Sequence, residues 1–314
     1  MQRIQLYPSA IGGLCLGLAS IAIYWSHTSV ILQCAISILT CILLIPLLIK
    51  FIKHPRQLWE DLRHPTLGST LPTSSMTIML LSFNMPHSSK LAIGLWLLAV
   101  IMHFCFFTSF IYHRIKNFNF DHLIPSWFVP PIGIVVACLT VPSPIFATFA
   151  KIILIFGLSA YMVLLPAVIY RLCLHPSLDH TRKPTLAVLA APASLILAGY
   201  LTLSIHPNSV LIIFLFSIAV LMTFSVYVML FHLLRIAFSP TFSAFTFPLV
   251  ISATATLKVS QWASHEVLFS SYTPILQDIS IVQAILASIV ITYVLVHYGR
   301  YLVNLWRTEV KIWS

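Results

Sequence analysis

The side chains that could handle a charged solute in this chain are hydroxyls and a few cations, set in otherwise apolar stretches. Ser69, Thr70, Thr73, Ser74, Ser75 and Thr77 cluster between positions 66 and 84. Ser126 and Thr140 bracket a second stretch, Ser194 and Thr202 fall in a third, and Thr246, Ser252, Thr254 and Thr256 in a fourth. No Asp or Glu lies within these stretches. Cation pathways commonly use rings of carboxylates, so this inventory argues against a cation path. Arg63, His64, Arg182 and Lys183 flank one end of the same stretches and Lys258 the other. Hydroxyl donors behind a positive vestibule suit an anion, which they can solvate without trapping. Each group also has a plainer use. Ser and Thr often bond back to their own helix or join neighbouring helices. Arg63, Arg182 and Lys183 also fit a purely topological role, and Lys258 could reach the interface on its long stem.

Other chemistry finds little support. His113, His232 and His297 fall near the ends of long apolar segments, where they anchor an interface better than they ligate haem. Cys15, Cys34, Cys41, Cys105, Cys138 and Cys173 show no CxxC spacing and read as free thiols. There is no HExxH, P-loop or GxSxG pattern. No catalytic residue, metal or cofactor is expected, and no nucleic acid partner despite the formal charge of +10.

These groups must be held by a membrane domain. Of the 314 residues, 59% are hydrophobic and only 8% charged, with a mean hydropathy of +0.98. That is too little charge to cover a soluble domain of this size. The start, MQRIQLYPSAIGG, lacks a signal-peptide cleavage pattern, so the first helix is expected to be retained. Ten apolar segments can be marked, at 8–25, 28–52, 66–84, 89–112, 124–141, 146–172, 185–204, 207–237, 242–263 and 274–306. Of the 17 Lys and Arg residues, only Lys90, Lys151 and Lys258 fall on one side of the resulting topology. Basic residues collect on the cytoplasmic side, which puts both termini in the cytoplasm.

A repeat organises the segments. Pro8, Pro65, Pro125, Pro184 and Pro240 start the odd-numbered ones at near-constant spacing, and Pro72, Pro131, Pro192 and Pro248 follow within four of them. The first carries Gly12, Gly13 and Gly17 instead. A proline inside a helix removes a hydrogen bond and bends the chain. The expected fold is therefore an all-α polytopic membrane protein, one transmembrane domain over 1–314. Ten helices form five hairpins (8–52, 66–112, 124–172, 185–237, 242–306) with quasi-five-fold symmetry around a central pore. The inner helices are kinked at Pro72, Pro131, Pro192, Pro248 and Gly13. Pore-lining or vestibule candidates are Thr73, Thr77, Ser194, Thr246, Lys258, His64 and Arg182. In the last repeat Phe245 and Phe247 sit just before Pro248. Two residues apart on a helix, they point about 200° apart, so both cannot face one pore.

The stretches HPTLGSTLPTSSMTIMLLS (64–82), PSWFVPPIGIVVACLT (125–140), RKPTLAVLAAPASLILAGYL (182–201) and AFTFPLVISATATLKVSQWA (244–263) resemble the tellurite-resistance/dicarboxylate transporter family. This family includes fungal malate and sulfite transporters and plant guard-cell slow anion channels. The resemblance covers essentially the whole chain. It implies the same ten-helix fold, a homotrimer of separate pores in the inner membrane, and a phenylalanine that plugs the pore. Phe247 matches that position. The implied substrates are small inorganic anions, oxyanions or C4-dicarboxylates. A channel-like conduit is the leading mechanism and a proton-coupled carrier the alternative. The carrier would need a buried ionisable group, for which His103, Asp278, His297 and Lys258 are the candidates. From another class, an intramembrane redox or haem-binding subunit would need polar groups converging at one depth, as the inner segments do not offer.

Overall fold

The structure is a computed structural model that describes residues 2–86 and 89–312. Met1, His87, Ser88 and the last two residues of the expected 1–314 unit, and the side chains of Arg3 and Lys311, lie outside the described residues. Those described are helical, without a strand. In chain order the helices are α1 (Gln2–Gln5), α2 (Ile11–Tyr24), α3 (Val30–Lys53), α4 (Pro55–Arg63), α5 (Pro65–Thr70), α6 (Pro72–Phe83) and α7 (Lys90–Lys116). They continue with α8 (Val129–Ile132), α9 (Val136–Leu139), α10 (Ala147–Leu174), α11 (Ala191–Leu203), α12 (Ser209–Leu233), α13 (Thr246–Ala263) and α14 (Thr273–Ile312). Tighter 3₁₀ stretches precede several of them: Pro125–Phe128 before α8, Lys183–Ala190 before α11 and Pro240–Phe245 before α13.

Among the described residues, seven helical stretches are long and apolar enough to cross a membrane, and two more, Ile11–His27 and Pro125–Leu139, are shorter and apolar. Their burial separates them into two kinds. In Lys183–Leu203 and Pro240–Ala263, 72% and 78% of the most apolar window is buried, against 28–33% in the other five. α2 belongs with the buried kind, since every residue from Ile11 to Ala22 is covered. So does α6, covered from Pro72 to Leu80. Helices α3, α7, α10, α12 and α14 bury one stripe and leave isoleucine, leucine and phenylalanine side chains exposed. Exposed apolar surface on this scale is at home only in lipid or a partner.

Three of the long helices, α3, α7 and α12, begin at polar caps. Ser29 accepts the Leu32 amide, Ser89 the Ala92 amide, and Asn208 the amides of Val210 and Leu211. Such caps satisfy donors left over at helix starts. The repeated prolines behave alike. Pro72 opens α6, Pro131 lies in α8, Pro192 is the second residue of α11, and Pro248 the third of α13. Each stands in the first turn of an α-helix that follows a helix break or a 3₁₀ stretch. There the missing N–H has no intrahelical acceptor to lose. Pro46 and Pro166 instead lie inside α3 and α10.

Gly12, Gly13 and Gly17 have a different role in α2, which is one uninterrupted helix. A methyl at Gly12 would come within 2.7 Å of Thr73 Oγ1, at Gly13 within 2.9 Å of Ser243 Oγ, and at Gly17 within 2.4 Å of Thr246 Cβ. These glycines let α2 lie directly against α6 on one side and the Pro240–Thr246 region on the other.

The N-terminal end of α2 is tied down by charge. Lys50 Nζ donates to the Tyr7 carbonyl at 2.8 Å and to Ser9 Oγ at 2.9 Å, and lies 3.7 Å from Asp61. Ser9 donates to Asp61 at 2.5 Å. Lys50 is 3% and Asp61 9% exposed, so both charges rely on this network rather than on water.

Candidate functional site: a central cavity

The buried segments meet at a cavity of about 50 Å³. α2 contributes Gly13 and Leu16. Thr70, Thr73 and Met76 come from the α5–α6 region. Phe128, Val129, Ile132 and Gly133 come from the stretch around α8, and Val188, Ala191, Pro192 and Leu195 from that around α11. Ser243, Ala244, Phe247 and Pro248 complete the wall. The volume holds only about one or two water molecules at liquid density.

The wall is almost wholly apolar, and its few hydroxyls are partly engaged. Thr70 donates to the Leu67 carbonyl at 2.9 Å and Thr73 to the Thr70 carbonyl at 2.6 Å. Their protons therefore face the backbone, and an anion would have to turn them. Phe247 presents its ring to the cavity with 6% of its surface exposed. Phe245 is fully buried and packs edge-on against Phe242 with ring centroids 5.0 Å apart, away from the cavity. Of the two rings before Pro248, one lines the cavity and the other builds the core behind it.

The candidate residues sort in the same way. Gly13, Thr73, Pro192, Phe247 and Pro248 line the cavity. Pro72 and Pro131 lie beside lining residues, Thr73 and Ile132, without lining it themselves. Thr77 donates to the Thr73 carbonyl at 2.8 Å, Ser194 to the Ala190 carbonyl at 2.9 Å, and Thr246 to the carbonyls of Gly13 and Ser243, both at 2.8 Å. None of the three lines the cavity: Thr77 and Ser194 bond back along their own helix, and Thr246 also ties its segment to α2. Lys258 is half-buried, eleven residues beyond Phe247 on α13, or about 16 Å along a helix axis. It forms no hydrogen bond or ion pair with the described residues.

His64 and Arg182 come together at one end of the buried segments. His64 caps α5 by accepting the Thr66 and Leu67 amides on Nδ1. Burial, and then the fields of Arg182 and Arg114, push its pKa below the ordinary histidine value, against a smaller opposite pull from Asp61. His122 is lowered for the same reasons, burial first and then Arg182 and Arg114. Two arginines and two histidines thus share one electrostatic neighbourhood. Arg114 also donates to the Arg63 carbonyl and lies over the Phe110 ring.

Sequence reasoning missed both Arg114, which reads as a topology signal, and His122; they sit on a different helix and loop from Arg182. It counted Thr70 among the hydroxyls of the inner stretches without choosing it, and missed Met76, Phe128, Gly133 and Ser243 as wall residues. Ser243 precedes Pro248 by five residues, the one signal that could have singled it out. His113 packs edge-on against Trp59 at 5.0 Å, and His297 contacts its own Tyr293 carbonyl at 2.9 Å. Neither lines the cavity.

These features define a multi-pass helical membrane protein built around a small apolar cavity. Residues 7–298 match the model of a family described as voltage-dependent anion channel, and the chain belongs to that family. The resemblance to tellurite-resistance/dicarboxylate transporters is borne out at this level. Among curated proteins, an uncharacterized transporter of Methanocaldococcus jannaschii is 28% identical over 166 residues, covering 46% of this chain and 47% of that protein. A second uncharacterized transporter of the same organism is 28% identical over 172 residues, covering 48% of each. The matched region spans about half the length of these relatives.

Proposed function

We propose that this protein passes anions across a cell membrane through the central cavity, with the Phe247 ring as the closing element. Five helical hairpins, ten crossings in all, stand around the pathway. The segments containing Gly13, Pro72, Pro131, Pro192 and Pro248 form the inner ring, with the breaks of the last four at mid-membrane. The observation that carries this reading is the cavity wall, to which all five of these segments contribute and in which Phe247 is the ring beside a proline. Family membership supports the anion class. So does a wall without carboxylates, approached from one end past His64, Arg114, His122 and Arg182. An apolar constriction of this size excludes water and so blocks ions until the ring moves. The Lys and Arg distribution supports cytoplasmic termini and an inner-membrane location, and the family resemblance supports a homotrimer of independent pathways. Small inorganic anions, oxyanions and C4-dicarboxylates are the substrate classes to test.

The experiment is anion flux into proteoliposomes under a clamped potential, wild type beside Phe247→Ala, with chloride, nitrate and malate supplied separately. Low wild-type flux and a large rise on removing the ring are expected. Equal flux in both proteins would remove Phe247 as the gate. Absence of flux for every anion in both would defeat the pathway itself.

A further inference from the structure

We propose that His103 is a proton-binding site directly behind the cavity wall, loaded together with an anion in the cavity. The inference rests on the anion pathway proposed above and names the co-bound ion and its residue.

His103 lies on α7, outside the wall, and is fully buried. Its Nε2 is 2.9 Å from the Pro130 carbonyl. A carbonyl oxygen only accepts, so Nε2 carries a hydrogen. Its Nδ1 is 3.1 Å from Ser75 Oγ, and the same Oγ is 2.7 Å from the Pro72 carbonyl, again an acceptor only. Ser75 has a single hydroxyl proton. With a neutral imidazole, that proton can serve Nδ1 or Pro72 but not both, and one close contact is left as lone pair against lone pair. A second ring proton, on Nδ1, resolves the conflict. Nδ1–H then donates to Ser75, Ser75 donates to Pro72, and Nε2–H donates to Pro130. The polar shell is complete only for the imidazolium.

A buried cation needs a counter-charge. Nothing fixed supplies it. Of the elements packed on α7, α5, α6, α8 and the Gly133–Val135 turn carry no ionisable side chain, and α3 and α10, which meet α7 through the Phe51–Phe106 and Phe107–Phe156 ring pairs, carry no carboxylate, only Lys50, Lys53, Lys151, Arg171, tyrosines and cysteines. α4 carries Arg56, Glu60, Asp61 and Arg63, but at the far end of α7 beside His113 and Arg114. His113 is ten residues from His103, about 15 Å along the helix. Cys105, on α7 itself, is exposed on another face. The open direction is the cavity. Gly133 lines it, and a methyl on Gly133 would come 3.3 Å from His103 Cε1 and 2.7 Å from Met76 Sδ. The ring thus lies one wall residue, Gly133, behind the space an anion would occupy, with the Met76 side chain beside it. The anion then supplies the missing charge, and each ligand raises the affinity of the other by the same factor. The proton arrives on Nδ1 as the anion binds and leaves as it departs, with no other group oxidised or reduced. The two carbonyls it secures, Pro72 and Pro130, stand at the breaks of two inner segments, which links loading to the shape of the wall.

The test combines two readouts. In protein labelled with ¹⁵N-histidine, the His103 signals, identified by their loss in His103→Gln, are followed from pH 8 to pH 5 with and without nitrate. Nitrate should move the titration midpoint upward, and Ser75→Ala, which removes the Nδ1–H acceptor, should move it downward. A ring that stays neutral throughout, with and without nitrate, overturns the proposal whatever the flux. In the second readout, Phe247→Ala proteoliposomes with a trapped pH dye take up nitrate at a subsaturating concentration. Uptake should rise by up to about tenfold per pH unit on acidification and carry protons into the lumen. The added His103→Gln change should flatten the pH ratio and stop the proton movement. Protonation of His64 at the mouth could alter flux with pH but would carry no proton across. Proton movement that survives His103→Gln overturns the proposal, while a Phe247→Ala protein that passes no nitrate but still shows a nitrate-dependent His103 titration would instead fault the pathway.

Discussion

Replacing Gly17 by alanine perturbs the seam between α2 and the ring that lines the cavity without touching the ring. The added methyl would lie 2.4 Å from Thr246 Cβ, 2.5 Å from Thr246 Oγ1 and 3.2 Å from the Phe247 amide nitrogen. Ordinary contact begins at 3.4 Å, so the two backbones must separate by about 1.0 Å. The obstructing atom is a Cβ, which no rotamer change can withdraw. Inserting a methyl into a packed interior in this way costs about 1–3 kcal/mol. The separation also stretches the 2.8 Å bond from Thr246 to the Gly13 carbonyl, the one polar tie across this seam at that level. Phe247 follows Thr246 directly, so its ring moves with the shift. The expected outcome is a thermal midpoint lowered by several degrees in detergent and anion leakage above wild type in proteoliposomes. Gly94→Ala on α7 is the control. Nothing stands within 4 Å of its new methyl, and its midpoint and flux should match wild type. A Gly17→Ala protein as stable and as tight as Gly94→Ala would refute the close approach of α2 to the Phe247 segment.

Lys50→Met should destabilise the protein by about 3–5 kcal/mol, because Asp61 would remain buried with Ser9 as its main partner. Adding Asp61→Asn should recover part of the loss, which a thermal melt of the single and double variants would measure. His64 gives a pH effect of defined sign. Its pKa is lowered in the folded protein, chiefly by burial, so below about 6.5 the unfolded chain binds more protons than the folded one. Stability should fall as pH drops from about 6.5 toward the folded value, and His64→Gln should flatten that part of the curve in pH-dependent melts.

What the sequence determined by itself was the solvent and the period. Eight per cent charged residues forced a membrane protein, and helices that must satisfy every backbone group internally followed from that. Prolines at near-constant spacing marked the segments that prove most buried, because only helices covered on all sides can carry both breaks and hydroxyls without exposing them to lipid. Ring orientation was legible in part. Two phenylalanines two residues apart cannot face one cavity, and the match at Phe247 singled out the one that does.

Tertiary structure alone decided which hydroxyls face the cavity, because Ser and Thr on a helix can equally bond to the carbonyl one turn back. Thr70, Thr73, Thr77, Ser194 and Thr246 all do so, yet of these only Thr70 and Thr73 stand in the wall, with Ser243. It also decided the role of the α2 glycines, since a bend and a close approach leave the same mark in a sequence. The mixed neighbourhood of His64, Arg114, His122 and Arg182 draws on four separate stretches, and no local pattern encodes such a meeting. His103 shows the same limit most sharply. On its own helix it is a lone histidine among apolar residues, and only the packing of α7 on the breaks at Pro72 and Pro130 gives its two nitrogens unequal partners.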